Sequence, residues 1–571
     1  MKKLYFIPLV IIVIVGMILG SCAKPAATTT VPPTTSKPPT TAPPTTSKPP
    51  TTAPPTTSVP PTTAKPAPYG TVTVADIGWP SNESLDPCNV ESTWGWEFYD
   101  ALLRWDASGV LIPGVADSWT FDSTTNTYTF KIHQGIKFWN GDPLTAADVK
   151  FSMDRFSDLA QSTNPWSYFV SKVYNQKETK VVDDYTFQFV QDHPEPSQLI
   201  IMAWLRILPK KYFESVGLDA FRSNPIGSGP WIFKELVSKT SITFAANTNY
   251  WRPDEIPVFQ TYKELYVPEV ATAIAMLKAG EVDILAFPPR DKINELVKAG
   301  FTAFKIGTPG TCSLVLQGSW FPAAQSGPIS DNRVREALSY AINRQELCDT
   351  LYSGYAVPGG MFYEYPAAYG WTDALNADPY DPAKAKELLK EANYPAAFAN
   401  PVINCYTDAT NGGLFGGPDL FLLLQSYWQA VGIQVKVNIV DSGVASGYIF
   451  NSFTRFKGTE QNIGWIGCWN YDAFFNPTYQ HANMYCSWGV HNAGNDPVAD
   501  AMYKKATTDT NPVTAEQEYK DFQVYAKSMY VNIGIAQTDS YVVWNPLTIG
   551  GWTGRIWVSF WDSTYGIQHA K

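Results

Sequence analysis

The stretch Asn140-Gly-Asp-Pro-Leu-Thr-Ala-Ala-Asp-Val-Lys-Phe-Ser152 reads as a tight turn feeding a helix. Behind Trp139, Asn140-Gly141-Asp142 has the composition of a hairpin turn, because Asn, Gly and Asp tolerate positive φ. Thr145 is placed to cap the orphan amides of a helix beginning at Ala146, and Asp148 puts a negative charge in its first turn. Upstream, Thr127-Tyr-Thr-Phe-Lys-Ile132 alternates as a strand does and ends in a turn at Gln134-Gly135. Thr71–Ala75 and Thr186–Val190 alternate in the same way. Downstream, apolar residues recur at helical spacing over Glu269–Ala279, Asn332–Ile342, Pro382–Ala392, Leu420–Val431 and Pro497–Thr507. The strands Val282–Leu285 and Ile433–Val440 follow helices directly. Strand–helix alternation points to open α/β sheets, with a β-rich part added near 110–140.

The 571 residues are 45% hydrophobic, 14% aromatic and 16% charged, with a net charge of −10. Residues 1–68 hold six Lys and no acid, so leaving them out takes the charge of residues 69–571 to −16. A body that acidic argues against nucleic acid or anionic lipid as its main partner. With 20 Trp, 31 Tyr and 30 Phe it has the means to bury a large core.

The first 68 residues are of another kind. Lys2 and Lys3 precede an apolar run from Leu4 to Leu19, and Leu19-Gly-Ser-Cys22 closes it. This is the layout of a secretory signal, and its last four residues resemble the bacterial lipobox, which makes Cys22 the expected lipidation site after cleavage behind residue 21. An uncleaved membrane anchor is the alternative reading of the run, which is near the lower length for a span. Thr34–Pro44, Thr45–Pro55 and Thr56–Pro66 repeat an 11-residue Thr/Pro unit with no large apolar side chain recurring. Residues 22–68 therefore read as a disordered, polyproline-like stalk, reaching on the order of 100 Å if extended. Of seven Cys (22, 88, 312, 348, 405, 468 and 486), none forms a CxxC pair. Most are expected as buried thiols, with one or two bridges allowed by an oxidising setting.

No HExxH, GxSxG or P-loop is present, and neither an enzyme, a metal nor a cofactor is expected. His481, Cys486 and His491 are spaced five apart, but their Asn/Gly surroundings read as a surface loop. Asp373–Asp378 lacks the glycine and terminal Glu of a calcium loop. The aromatic clusters are the better lead. Trp79 follows the first strand, Trp94 and Trp96 flank Gly95, and Trp320 follows a strand at Ser313–Gln317. Trp465, Trp469 and Tyr471 lie beside Cys468 and Asp472. Trp is rigid and amphipathic, and ligands of open α/β sheets bind beyond strand C-termini.

Several ordered stretches resemble family 5 extracellular solute-binding proteins, the peptide- and nickel-binding components of ABC transporters. They are Ala116–Trp119, Thr127–Phe130, Gly135–Phe138, Asn140–Ser152, Pro225-Ile-Gly-Ser-Gly-Pro-Trp231, Asn249–Trp251, Gly280–Asp283, Asp331–Asn343, Tyr380–Lys386, Gly432–Val435 and Gly464-Trp465. The resemblance implies a periplasmic-binding-protein type II architecture: two hinged α/β lobes plus a β-rich subdomain. The expected divisions are a first lobe over 69–305 with an insertion at about 89–205, a second lobe over 306–538, and a return over 539–571. Crossings are expected near Lys305–Gln317 and Asn532–Asp539, and the expected ligand-binding set is Trp79, Trp94, Gln317, Trp320, Trp465, Cys468, Trp469, Tyr471, Asp472 and Gln537. In peptide-binding relatives an Asp soon after the Gly-Trp pair meets the peptide's ammonium. Here that position aligns with Cys468, and Asp472 is the nearest acid. The implied function is capture of a solute, a peptide first and an oligosaccharide or nickel chelate as alternatives, for an ABC permease. A monomer, tethered by lipid to the outer face of a membrane, is the expected form; adhesion or enzyme roles are the rivals of another class.

Overall fold

Two long strands, Thr302–Gln317 and Asn532–Trp544, organise the whole chain in this computed structural model. It describes residues 66–79, 83–89, 94–106, 110–162, 176–192, 198–317, 319, 327–361, 368–408, 417–441, 465–472, 478–489, 496–509, 511–553 and 564–571. The expected leader, Cys22 and nearly all of the stalk lie outside these residues.

The two long strands pair antiparallel in an 11-stranded sheet. Thr302–Ile306 stands against Ser540–Trp544, and Gly310–Val315 against Asn532–Thr538, with a register shift between Ile306 and Gly310. At the first end the sheet continues through Ile284–Ala286, Thr71–Asp76, Thr261–Tyr266, Ser241–Ala246 and Trp231–Val237. At the other end it continues through Trp465–Asp472, Ile403–Asp408 and Val435–Val440. Ala356–Pro358 pairs with the second long strand off this path. Each long strand thus serves two sets of neighbours, one on either side of the shift.

A separate four-stranded antiparallel sheet, ordered Ala116–Asp122, Thr127–Ile132, Thr186–Gln191, Gln176–Asp183, forms the β-rich part. Its alternation follows the sequence pattern: Tyr128, Phe130 and Ile132 are buried while Lys131 is exposed. The turn at Phe138–Asp142 forms, with Gly141 at φ +87°. Thr145 precedes the helix Ala146–Ser157, and Asp148 Oδ2 accepts from Thr145 N at 2.9 Å and from Thr145 Oγ1 at 3.0 Å. The same carboxylate's Oδ1 accepts from Lys210 N at 3.0 Å, so one cap also holds the start of the helix Lys210–Val216.

Val334, Ala337, Leu338 and Ala341 are fully buried, as their helical spacing predicts. Arg333 is exposed, whereas Arg335, off the apolar stripe of the same helix, is not. It is half-buried and donates to the carbonyls of Ile329, Ser330 and Met529, which close a loop over the helix start. Burial pulls its pKa down to about 10. Asp381 caps the helix Pro382–Glu391 by accepting from Lys384 N at 2.9 Å.

The core under Thr71–Asp76 contains an unusual pair. Asp76 and Glu264 are 1% and 0% exposed. Burial, then repulsion from Glu264, pushes the Asp76 carboxyl well above the usual range. Glu264 accepts from Trp94 Nε1 at 3.1 Å and Tyr262 Oη at 2.8 Å. Because the folded pKa is raised, the protonated Asp76 stabilises fully below the unfolded pKa of about 3.9, and this stability is lost as pH rises through the folded pKa. Asp76→Asn should therefore melt near wild type in acid and become more stable than wild type by about 1–3 kcal/mol at alkaline pH. Melting curves across pH read this directly; a mutant that loses ground as pH rises contradicts it.

Candidate functional site

The stretch Trp465–Asp472 runs as an edge-to-edge partner of the first long strand, and its register divides the expected site. Ile466, Cys468 and Asn470 stand opposite Leu316, Leu314 and Cys312, three residues packed in one hydrophobic core. Trp465, Trp469 and Tyr471 stand opposite Gln317, Ser313 and Thr311. Thr311 stands in turn opposite Gln537, so Tyr471, Thr311 and Gln537 share one row across three strands. Alternate residues of a strand belong to opposite faces. The single wall expected from Trp465 to Asp472 is therefore corrected: Cys468 holds a core-face register position, and Asp472 follows it at even spacing, opposite Gly310. The row with Tyr471 is the polar one. Ser313 and Thr311 are 0% and 2% exposed, and Asn532 Nδ2 donates to Ser313 Oγ at 3.2 Å.

The other expected residues scatter. Trp94 is a correction: it is 0% exposed, with its N–H on Glu264, and offers no ring face to a ligand. Its place in the sheet core follows from the one-turn helix Gly95–Phe98, which turns Trp94 inward. Trp79 is half-buried, packed edge-on to Trp94 at 5.0 Å, and donates to Glu83 Oε1 at 2.5 Å. Gln537 is half-buried. Trp320, and the side chains of Gln317, Trp465, Cys468, Trp469, Tyr471 and Asp472, lie outside the described residues.

A second wall was not in the expected set. Trp96 and Trp204 are half-buried and meet edge to face, with centroids 4.9 Å apart at 78°. The Arg206 guanidinium lies 3.6 Å from the Trp96 ring centroid, with Arg206 only 7% exposed. Arg206 Nη1 donates to Ala203 O at 3.3 Å. Behind them is a cavity of about 40 Å³, lined among others by Trp96, Asp100, Arg104, Arg206, Tyr250 and Glu255. Asp100 accepts from Tyr250 Oη and Ser228 Oγ at 2.8 Å and from Trp251 Nε1 at 2.9 Å. Burial, with the Asp100 charge beside it, pushes the Tyr250 hydroxyl well above its usual pKa. Arg104 Nη2 donates to both oxygens of Glu255, at 2.8 and 2.6 Å. A signal for this wall exists in the sequence: Arg206 is the one charge in the apolar run Ile200–Leu208.

Among the described residues no cluster of His, Cys, Asp or Glu is arranged to hold a metal. His481 is fully buried and shares a 2.7 Å hydrogen bond between Nδ1 and Tyr519 Oη, which replaces the surface loop expected for it. Cys486 is buried nearby in the same apolar cluster, and His491 lies outside the described residues. Cys88, Cys312, Cys348, Cys405 and Cys486 are buried thiols, not disulfides.

The profile for bacterial extracellular solute-binding proteins, family 5 (middle region), matches residues 110–488. The chain belongs to this family. Among similar proteins, the glutathione-binding protein GsiB of Escherichia coli O1:K1 / APEC is 28% identical over 393 residues, which is 67% of this chain and 72% of that one. GsiB of Pectobacterium atrosepticum is 29% identical over 371 residues, 63% of this chain and 68% of its own. Among solved structures, the periplasmic binding protein DppA of Helicobacter pylori, in complex with the peptide STSA, has a TM-score of 0.74 at 21% identity, covering 88% of this chain and 99% of that one. The oligopeptide-binding protein AppA of Bacillus subtilis, in complex with a nonapeptide, has a TM-score of 0.71 at 20% identity, covering 89% and 100%. The fold is the periplasmic-binding-protein type II architecture expected from the sequence, and this family 5 protein is an extracytoplasmic solute-binding protein. Among its described residues no helix is long and apolar enough to cross a membrane.

Proposed function

We propose that this family 5 protein captures a short peptide outside the cell, closes its two lobes on it and hands it to an ABC importer, with no bond made or broken. The observation that carries this reading is the pair of long strands. Each belongs to two sheet halves and changes register between Ile306 and Gly310, where a small backbone rotation swings one half against the other. The lobes run over 69–305 and 306–538, with 539–571 returning to the first. The peptide class is supported by the relatives, whose names and complexes speak of glutathione, a tetrapeptide and a nonapeptide. Trp96 and Trp204 supply rigid ring faces, and Tyr471, Thr311 and Gln537 a polar row.

The test starts with mass spectrometry of whatever solute co-purifies with the full chain, followed by binding of the same solute to Trp96→Ala. A ring face buried against ligand contributes about 1–3 kcal/mol, so affinity should fall about tenfold or more. Wild-type affinity in that variant removes the Trp96 wall from the site. No peptide in any preparation, and none bound from a mixed library, removes the peptide reading.

Lipid attachment belongs to the same proposal. Cys22 ends an apolar run behind small residues, and the Thr/Pro stalk after it suits a body working away from the bilayer. Cys22→Ala should leave the leader uncleaved and abolish labelling by a fatty-acid probe. Labelling equal to wild type rules out Cys22 as the anchor.

A further inference from the structure

We infer that the helix Arg290–Lys298 of the first lobe and the turn Tyr352–Tyr355 of the second form a clasp beside the crossing strands, which restrains the angle between the lobes. Arg290 and Tyr355 are then positioning residues: they act on solute binding through the hinge. This rests on the lobes and the hinge proposed above, and it names what holds that hinge.

The two sides of the clasp belong to different cores. Ile293 and Leu296 of the helix pack with Ala75, Leu285 and Val543, whereas Tyr352 packs with Leu314, Leu338 and Cys348. Arg290 spans the gap. It is 8% exposed, its guanidinium lies 5.3 Å from the centroid of the Tyr352 ring, and Tyr352 is 1% exposed. One turn along the helix, Asn294 Oδ1 accepts from Tyr355 Oη at 2.6 Å. The Tyr355 ring meets Tyr541 edge to face, with centroids 5.3 Å apart, and both rings pack against the first-lobe core. The residues straight after Tyr355, Ala356–Pro358, pair with Ala536–Thr538 on the second-lobe half of the long strand. The chain therefore passes from one core to the other at Tyr355.

The clasp is also tied to the pivot itself. Asp539 falls between Thr538 and Ser540, inside the register shift of the two long strands. Its carbonyl accepts from Arg290 Nη2 at 3.2 Å, and its carboxylate pairs with Lys305 of the other long strand at 2.6 Å. Backbone strain marks both sides. Phe287, shortly before Arg290, and Ser353, in the tyrosine turn, hold φ at +50° and +53°. Residues with side chains rarely adopt such angles, and they persist where the surroundings over-determine them. Phe287 N donates to Tyr541 O at 3.2 Å, and Tyr355 N to Tyr352 O at 2.8 Å, so each strained residue sits in a segment held at this junction.

Contacts that span two bodies beside their pivot weight the angle at which they are made. Without them the hinge samples a wider range, and closing on a solute has more freedom to remove. Tyr355→Ala takes away the hydroxyl and the ring. Arg290→Lys keeps the charge and loses the flat group that lies on Tyr352.

The test uses the full chain with two spin labels, carried on non-natural residues at positions 237 and 422, one in each lobe. Val237 and Leu422 are exposed and belong to regular elements. Distances between the labels, measured by pulsed electron resonance, should spread more widely in both variants than in the wild-type background. An equal spread overturns the inference. The solute that co-purifies with the protein should bind the variants about threefold or more weakly, and equal or tighter binding overturns it too. A change in melting temperature alone, with the spread unaltered, would mark Arg290 and Tyr355 as structural only and sink the clasp. If the variants spread while the solute leaves the wild-type distance unmoved, the clasp stands and closure on the solute falls. If the solute shortens the wild-type distance and the variants match wild type in spread, closure stands and the clasp falls. Tyr355 is half-buried, so its variant decides even if Arg290→Lys folds poorly.

Discussion

Asp86→Ala should lose about 3–5 kcal/mol of stability, the largest effect expected from any single substitution outside the binding site. Asp86 is 0% exposed and forms a two-pronged ion pair with Arg155, at 2.7 and 2.6 Å, whose side chain is 3% exposed. Arg222 Nε adds a contact at 3.3 Å, and Cys88 N donates to Asp86 Oδ1 at 3.1 Å. One carboxylate therefore ties the segment 83–89 to the helix Ala146–Ser157 and to the helix Leu218–Ser223. Removing it strands a guanidinium in a place without water, which costs far more than the net worth of the intact pair. Thermal and denaturant unfolding would measure the loss. The double variant Asp86→Leu with Arg155→Met should recover a large part of it, because the pair is replaced and not broken. A single variant within about 1 kcal/mol of wild type would show that Arg155 finds another partner or reaches water.

Gly227→Ala should cost about 3 kcal/mol, at the upper end of what overpacking usually does. A Cβ at Gly227 would sit 1.8 Å from Phe98 O, a backbone atom that cannot turn aside as a side chain can. Gly229 is almost as tight, at 2.8 Å from Phe98 C, and Gly229 N donates to Phe98 O at 3.1 Å. Between them Ser228 reaches Asp100. The damage should therefore extend past stability: pushing Phe98 away displaces Trp96 and Asp100, which border the cavity, and solute affinity should fall in the same variant. Ser228→Ala, which adds no atoms, should leave stability closer to wild type. A Gly227→Ala protein that unfolds at the wild-type midpoint would mean that the segment at Phe98 yields freely.

These two sites mark where reading the sequence stops. Gly227 and Gly229 stand out in Pro225–Trp231, and the turn expected there is a sharp one, but the reason lies elsewhere. Neither glycine is needed for left-handed backbone; both make room for a chain segment about 130 residues earlier. The Asp86–Arg155 pair is equally invisible, because nothing local to either residue names the other.

Trp94 and Trp96 show the same limit at the site itself. They are two residues apart and chemically identical, and the expected ligand-binding set holds the first and not the second. One helical turn buries the first and leaves the second on the cavity. In Trp465–Asp472, aromatic and acidic residues look like one cluster along the chain, and pairing with the first long strand assigns alternate positions to opposite faces.

What the sequence determined by itself is local and periodic: the turn at Asn140–Asp142, the cap at Thr145, the buried stripe Val334–Ala341, the strand alternation at Thr127–Ile132, and the ordered motifs that mark family 5. Those features depend on neighbours within a few residues, where side-chain period and backbone preference act directly. The two-ended role of the long strands, the burial of Trp94, the assembly of Trp96, Arg206 and Arg104 around one cavity, and the pairing of Asp86 with Arg155 were decided only by tertiary structure. Each joins residues from tens to hundreds of positions apart, and burial, not spacing, determines which charges must meet and which ring remains open to a ligand.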